Sequence, residues 1–134
     1  MNSQKNTEAC GSMFRTVAGL CGFVAVALGA FGAHALRPVL SNLATMDMWN
    51  TASLYHLVHS GVLVCLAIAR PGARISFWLF VAGVVLFSGS LYLFALTGMK
   101  ALTPMAPVGG FCLMGGWLAL AFGGGKHSAK EGDS

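Results

Sequence analysis

Four stretches of this chain contain no Asp, Glu, Lys or Arg: residues 16–36, 48–69, 75–99 and 101–125, each 21 to 25 residues long. A helix rises about 1.5 Å per residue, so crossing the hydrocarbon core of a bilayer takes about 20 apolar residues. The stretches fill most of the 134 residues, and what lies between them is too short for a water-soluble domain. Charged residues make up only 9% against 56% hydrophobic, and the mean hydropathy is +0.73. A soluble domain carries about a quarter charged residues. This chain cannot cover a water-facing surface, and it is expected to be an all-α polytopic membrane protein, a bundle of four transmembrane helices.

The expected spans are 14–36, 48–69, 75–97 and 103–123, forming one transmembrane domain over 14–123. Residues 1–13 read as a polar, aperiodic tail and 124–134 as a charged one. Pro38 fits an ending of the first span near Arg37. In the 37–47 loop, Leu40, Leu43 and Met46 recur at helical spacing, which suggests a short interfacial turn. Arg70-Pro71-Gly72-Ala73-Arg74 reads as a tight basic turn, Gly98 to Leu102 as a short one, and Gly123-Gly124-Gly125 as a helix breaker. Ala33-His34-Ala35 has the shape of a signal cleavage site, but the preceding run is longer than a signal core, so the first span is expected to be retained.

An even number of crossings puts both termini on one side with the 70–74 turn. That side holds Lys5, Arg15, Arg70, Arg74, Lys126 and Lys130, whereas the other holds Arg37 and Lys100. Basic loops stay cytoplasmic. The expected location is therefore the bacterial inner membrane with both termini cytoplasmic, or the mitochondrial inner membrane in a eukaryote. The basic residues are scattered over loops and tails, which argues against a nucleic-acid partner. Trp49 and Trp78, near helix starts, fit an aromatic belt.

Small residues recur on one face of two spans. Ala18, Gly22, Ala25, Gly29 and Gly32 line the first, and Gly109, Cys112, Gly116, Ala119 and Gly123 line the fourth. Lipid supplies no hydrophobic drive between helices, so close backbone approach must hold them. Both strips are expected to pack against protein: each other, the middle spans, or another subunit. Gly29 in particular is expected at a close contact.

No ionisable carboxylate, Lys or Arg lies within the long apolar runs. That excludes an intramembrane aspartyl protease, a zinc protease of the H-E-x-x-H type, and a carboxylate-coupled ion carrier. The cysteines, Cys10, Cys21, Cys65 and Cys112, show no C-x-x-C spacing, so neither a disulfide framework nor a zinc site of that type is expected. What remains is a polar set in the outer halves of the spans: His34, Asn50, Ser53, Tyr55, His56, His59, Ser88, Ser90 and Tyr92. With the inner halves apolar, these suggest a polar pocket open to the outer side. His56 and His59 are three apart and share a helix face. Burial favours their neutral form. Each could donate and accept one interhelical hydrogen bond. Alternatively, the pair with His34 could hold copper or zinc, or relay protons. The two could not both be axial ligands of one haem, and Ser88 and Ser90 have no base to make them nucleophiles.

Four segments together resemble a known family. They are Gly29-Ala30-Phe31-Gly32-Ala33-His34-Ala35-Leu36; Trp49-x-Thr51-Ala52-x-x-Tyr55-His56-x-x-His59; Phe87-Ser88-Gly89-Ser90-Leu91-Tyr92; and Pro107-Val108-Gly109-Gly110 followed by Gly116-Trp117. The chain resembles domain-of-unknown-function family 423 over about 16–120. Members are small bacterial inner-membrane proteins, and eukaryotic transmembrane protein 256 is similar. One departure is Ala106 before Pro107, where members often carry Thr. The resemblance implies four spans and brings no activity, substrate or cofactor. The expected function is non-enzymatic: an accessory, scaffold or assembly subunit of a larger membrane complex, surrounded by lipid and bound to other subunits or to copies of itself. The alternatives are a small oligomeric carrier or channel for a neutral solute, and a metal- or haem-binding protein using His34, His56 and His59.

Overall fold

A computed structural model describes residues 2–123, with side chains from Glu8 onward except Cys10. The charged tail 124–134 and most of the Gly123–Gly125 breaker lie outside the described residues. The helices are α1 (Asn2–Ala33), α2 (Arg37–Asn42), α3 (Met46–Ala69), α4 (Arg74–Thr97) and α5 (Met105–Phe122), with a 3-10 turn at Lys100–Leu102 before α5. Four stretches are long and apolar enough to span a bilayer: Gly11–Ala33, Met46–Ala69, Arg74–Thr97 and Lys100–Phe122. The first helix departs from the sequence expectation. Its backbone stays helical back to Asn2, through residues assigned to an aperiodic tail. Extending a helix already nucleated in the span costs little, and Gln4, Lys5, Glu8 and Ala9 are good helix formers.

The chain reversals follow from local chemistry. Pro38 sits in the first turn of α2, where its missing N–H costs nothing. Ala44 ends that helix in the left-handed region at φ 53°, and the Thr45 N–H donates to the Leu40 carbonyl at 3.0 Å. Gly98 closes α4 at φ 67°, a conformation glycine adopts without steric cost.

The spanning helices pack in the order α1 on α3, α3 on α4, and α4 on α5. Two apolar clusters hold them. At the end bearing the N-terminus, Phe14 and Ala18 of α1 meet Leu63, Leu66 and Ala67 of α3, Phe77, Phe80 and Val84 of α4, and Leu113 of α5. Phe14 stacks on Phe77 with ring centres 4.2 Å apart. At the opposite end, Leu40 of α2 plugs a cluster of Trp49, Ala52, Tyr92 and Ala95. The expected interfacial turn is thus a six-residue helix, exposed except for Leu40. Phe23, Ile68, Ile75, Phe111 and Phe122 point outward, as a lipid-facing surface requires.

Small residues set the close contacts. A Cβ added at Gly109 would strike the α4 backbone at Leu86–Phe87, one at Gly116 would meet the Phe80 ring, and one at Gly83 would meet Leu113. The α5 strip therefore lies on α4, with Cys112 and Ala119 half-buried beside it. The α1 strip lies on α3: Ala18 and Ala25 are buried, and a Cβ added at Gly22 would stand 4.0 Å from the Ser60 Cβ. Its tight point is Gly32, where a Cβ would enter the Trp49 indole. Gly29 differs from expectation, since nothing lies within 4 Å of where its Cβ would stand. Trp49 bridges α1 and α3 higher up and leaves that position open. Gly32→Ala is accordingly expected to lower the detergent melting temperature by an overpacking cost of about 1–3 kcal/mol. Gly29→Ala should be neutral or slightly stabilising, because alanine is the better helix former. Circular dichroism melts of the two variants in one detergent check this.

Candidate functional site

The intramembrane polar groups gather at two places. One joins α3 to α5 through His59. Its Nδ1 lies 2.8 Å from the Tyr55 carbonyl one turn back, and its Nε2 lies 3.3 Å from the Trp117 indole nitrogen. An indole N–H can only donate, so Nε2 carries the lone pair and accepts. The single proton of a neutral ring then sits on Nδ1 and goes to the carbonyl, which can only accept. Both nitrogens of His59 are consumed by the fold. Phe80 at 5.6 Å and Tyr55 at 6.0 Å enclose the ring. Trp117→Phe deletes the donor while keeping most of the packing. Interhelical bonds in membranes are worth roughly 0.6–2 kcal/mol, and a loss of that size is expected in a thermal melt, with His59→Leu adding little to it.

The second place joins α3 to α4 and α1. The Tyr92 hydroxyl donates to Ser53 at 3.3 Å, and the Tyr92 ring lies 4.7 Å from Trp49 and 6.1 Å from His56. The Trp49 N–H donates to the Leu28 carbonyl of α1 at 3.2 Å. Ser60 donates to the His56 carbonyl at 2.7 Å, with the Cys21 sulfur 3.2 Å away. The His56 ring lies against the Cys21 backbone. Thr45 donates to the Ala95 carbonyl at 2.7 Å.

Other residues of the expected polar set are placed apart. Ser90 bonds its own helix at the Phe87 carbonyl, 2.9 Å away. His34 is exposed in the turn after α1. Asn50 is exposed and lines a shallow cavity of about 280 Å³ with Gly32, Ala33, Arg37 and Met46. That cavity opens at the α2 end, and Asn50 is its sole lining residue from the set. Of the expected set, Ser53, His59, Ser90 and Tyr92 are taken up in hydrogen bonds within or between helices. His34, His56 and His59 are not brought together, and no cluster of three His, Cys, Asp or Glu side chains suited to a metal occurs among the described residues.

Three partners were missed in the sequence. Trp117 and Cys21 take part in contacts between helices, and Thr45, just ahead of α3, bonds α4. Trp49, read as a belt residue, is 2% exposed and buried in the core. Its sequence signal was the small Gly32, which makes room for an indole. Trp78 is 45% exposed and does face outward.

Residues 28–110 match the family described as protein of unknown function DUF423. The chain is 38% identical over 112 residues to the UPF0382 membrane protein of Staphylococcus haemolyticus, covering 81% of this chain and 91% of that protein. It is 34% identical over 120 residues to the UPF0382 membrane protein of Haemophilus influenzae, covering 87% and 96%. It is also 38% identical over 112 residues to the UPF0382 inner membrane protein YgdD of Escherichia coli, covering 79% and 84%. No solved structure matches the chain.

Proposed function

The chain belongs to the DUF423 family of membrane proteins of unknown function, and on that premise we propose that it is a non-enzymatic accessory or assembly subunit of a larger membrane complex. One observation carries the reading. The outer pair of spans is sparsely covered: 17% of the α1 span and 22% of the α5 span is buried, against 39% for each of α3 and α4. Each of these two helices rests chiefly on one neighbour. Their open faces offer long, rigid surfaces to other membrane helices. The chemistry of the spans points the same way. Both ring nitrogens of His59 are engaged, one within α3 and one across to α5, and the charged residues of the spans, Arg15, Asp47, Arg74 and Lys100, stand only near their ends.

Purification of the full chain from its native membrane in mild detergent tests this. The expected result is co-elution with other membrane proteins in fixed stoichiometry, identified by mass spectrometry. A lone monomer, or a homo-oligomer with nothing else bound, would contradict it. The proposed inner-membrane orientation has both termini in the cytoplasm, from the six-to-two division of basic residues. An impermeant maleimide should leave Cys10 unlabelled in intact cells and label it after lysis. Labelling from outside would reverse the orientation.

A further inference from the structure

On α3, Asn50, Ser53, His56 and Ser60 recur at steps of three, three and four, so they lie along one helix face. This polar stripe starts at the cavity that Asn50 lines with Arg37. It runs inward past the Ser53–Tyr92 bond to His56 and Ser60. Below Ser60 the same face becomes Leu63 and Ala67, sealed among Phe14, Phe77 and Phe80. The stripe therefore begins at the exposed Asn50 and ends against apolar packing near the middle of the bundle.

Two atoms at its closed end have no hydrogen-bond partner: His56 Nδ1 and Ser88 Oγ. Both residues are buried, His56 at 6% and Ser88 at 1% exposure. They also share a level. Ser88 is one turn from Tyr92 on the same face of α4, and Tyr92 packs beside Ser53 and His56. Because α4 runs antiparallel to α3, one turn back from Tyr92 falls level with His56 to Ser60. An unpaired polar atom in hydrocarbon loses the bonds that water would supply. Two such atoms at one level of one interface call for a shared partner able both to donate and to accept. Ser88 could have bonded its own helix, as Ser90 does, but its oxygen remains unused.

We propose that the Asn50–Ser60 stripe is a blind polar well entered from the cavity beside Arg37, and that its floor holds one water-sized neutral molecule between His56 Nδ1 and Ser88 Oγ. Beyond Arg37 at the mouth, the groups against the stripe are hydroxyls, the Asn50 amide, the His56 imidazole and the Cys21 thiol, with no carboxylate or ammonium, a lining suited to a neutral molecule. The Leu63–Ala67 floor prevents passage to the other side. Buried waters commonly make about three hydrogen bonds to otherwise unpaired groups, and the well offers that environment. This inference is independent of any partner subunit.

Water-edited solid-state NMR on the full chain in lipid bilayers tests it. Magnetisation from water is expected to reach the His56 ring and Ser88 almost as early as Asn50, and far earlier than Leu63 or Phe80. Ser88→Ala should slow the transfer to His56 severalfold. Build-up at His56 as slow as at Leu63 would overturn the well. So would fast transfer at Leu63 and Ala67, which would make the path a through-channel. The wild-type comparison alone decides the matter if the variant does not fold.

Discussion

Gly109→Leu is expected to disassemble the α4–α5 pair. A Cβ at this position meets the α4 backbone at Leu86 and Phe87, and backbone cannot rotate aside as a side chain can. The helices would have to separate along their whole contact, which includes the Gly83–Leu113 and Gly116–Phe80 fits. Ordinary overpacking costs about 1–3 kcal/mol, and a helix displaced along its length should lie at or above the top of that range. Gly110→Leu is the control, because only the Phe87 ring stands near its Cβ, at 3.9 Å. Folded yield by size-exclusion chromatography in one detergent should fall sharply for the first variant and little for the second. Equal yields would mean that α5 does not dock on α4 through this glycine.

Trp49→Ala should be the most damaging truncation at the α2 end. The indole is 2% exposed, fills the space over Gly32, meets the edge of Tyr92 at 4.7 Å and donates to the Leu28 carbonyl. Removing a buried aromatic costs about 3–5 kcal/mol in soluble cores. The bond across to α1 is lost as well. Trp49→Phe keeps most of the packing and should lose roughly the value of one interhelical bond, 0.6–2 kcal/mol. A melting temperature that falls equally for both variants would assign the effect to the hydrogen bond alone.

The spans were legible because a bilayer imposes length and apolarity directly on the sequence. The ends of α3 and α4 fall within two residues of expectation. α1 was cut short because polarity marks where a span leaves the membrane, not where its helix stops. The strips of small residues marked packing faces, but spacing could not tell Gly29 from Gly32. The difference comes from Trp49, a residue on another helix. The polar set was harder. The spacing of three puts His56 and His59 on one face of α3, yet one turns to Trp117 on α5 and the other to Cys21 and Tyr92. Which helices flank α3 is a tertiary fact. Without it, Trp117 and Cys21 carried no signal, and a shared pocket looked as reasonable as two separate contacts.

On this reading the intramembrane histidines serve the fold and not a metal or a proton path. The protonation of His59 tests it most directly, because its two bonds fix a single tautomer. Nitrogen-15 solid-state NMR of histidine-labelled protein in lipid bilayers should show His59 neutral, protonated at Nδ1 and bare at Nε2. In Trp117→Phe the Nε2 resonance should shift while Nδ1 keeps its proton. A proton on Nε2, a cationic ring at neutral pH, or a metal-coordinated nitrogen would contradict the account.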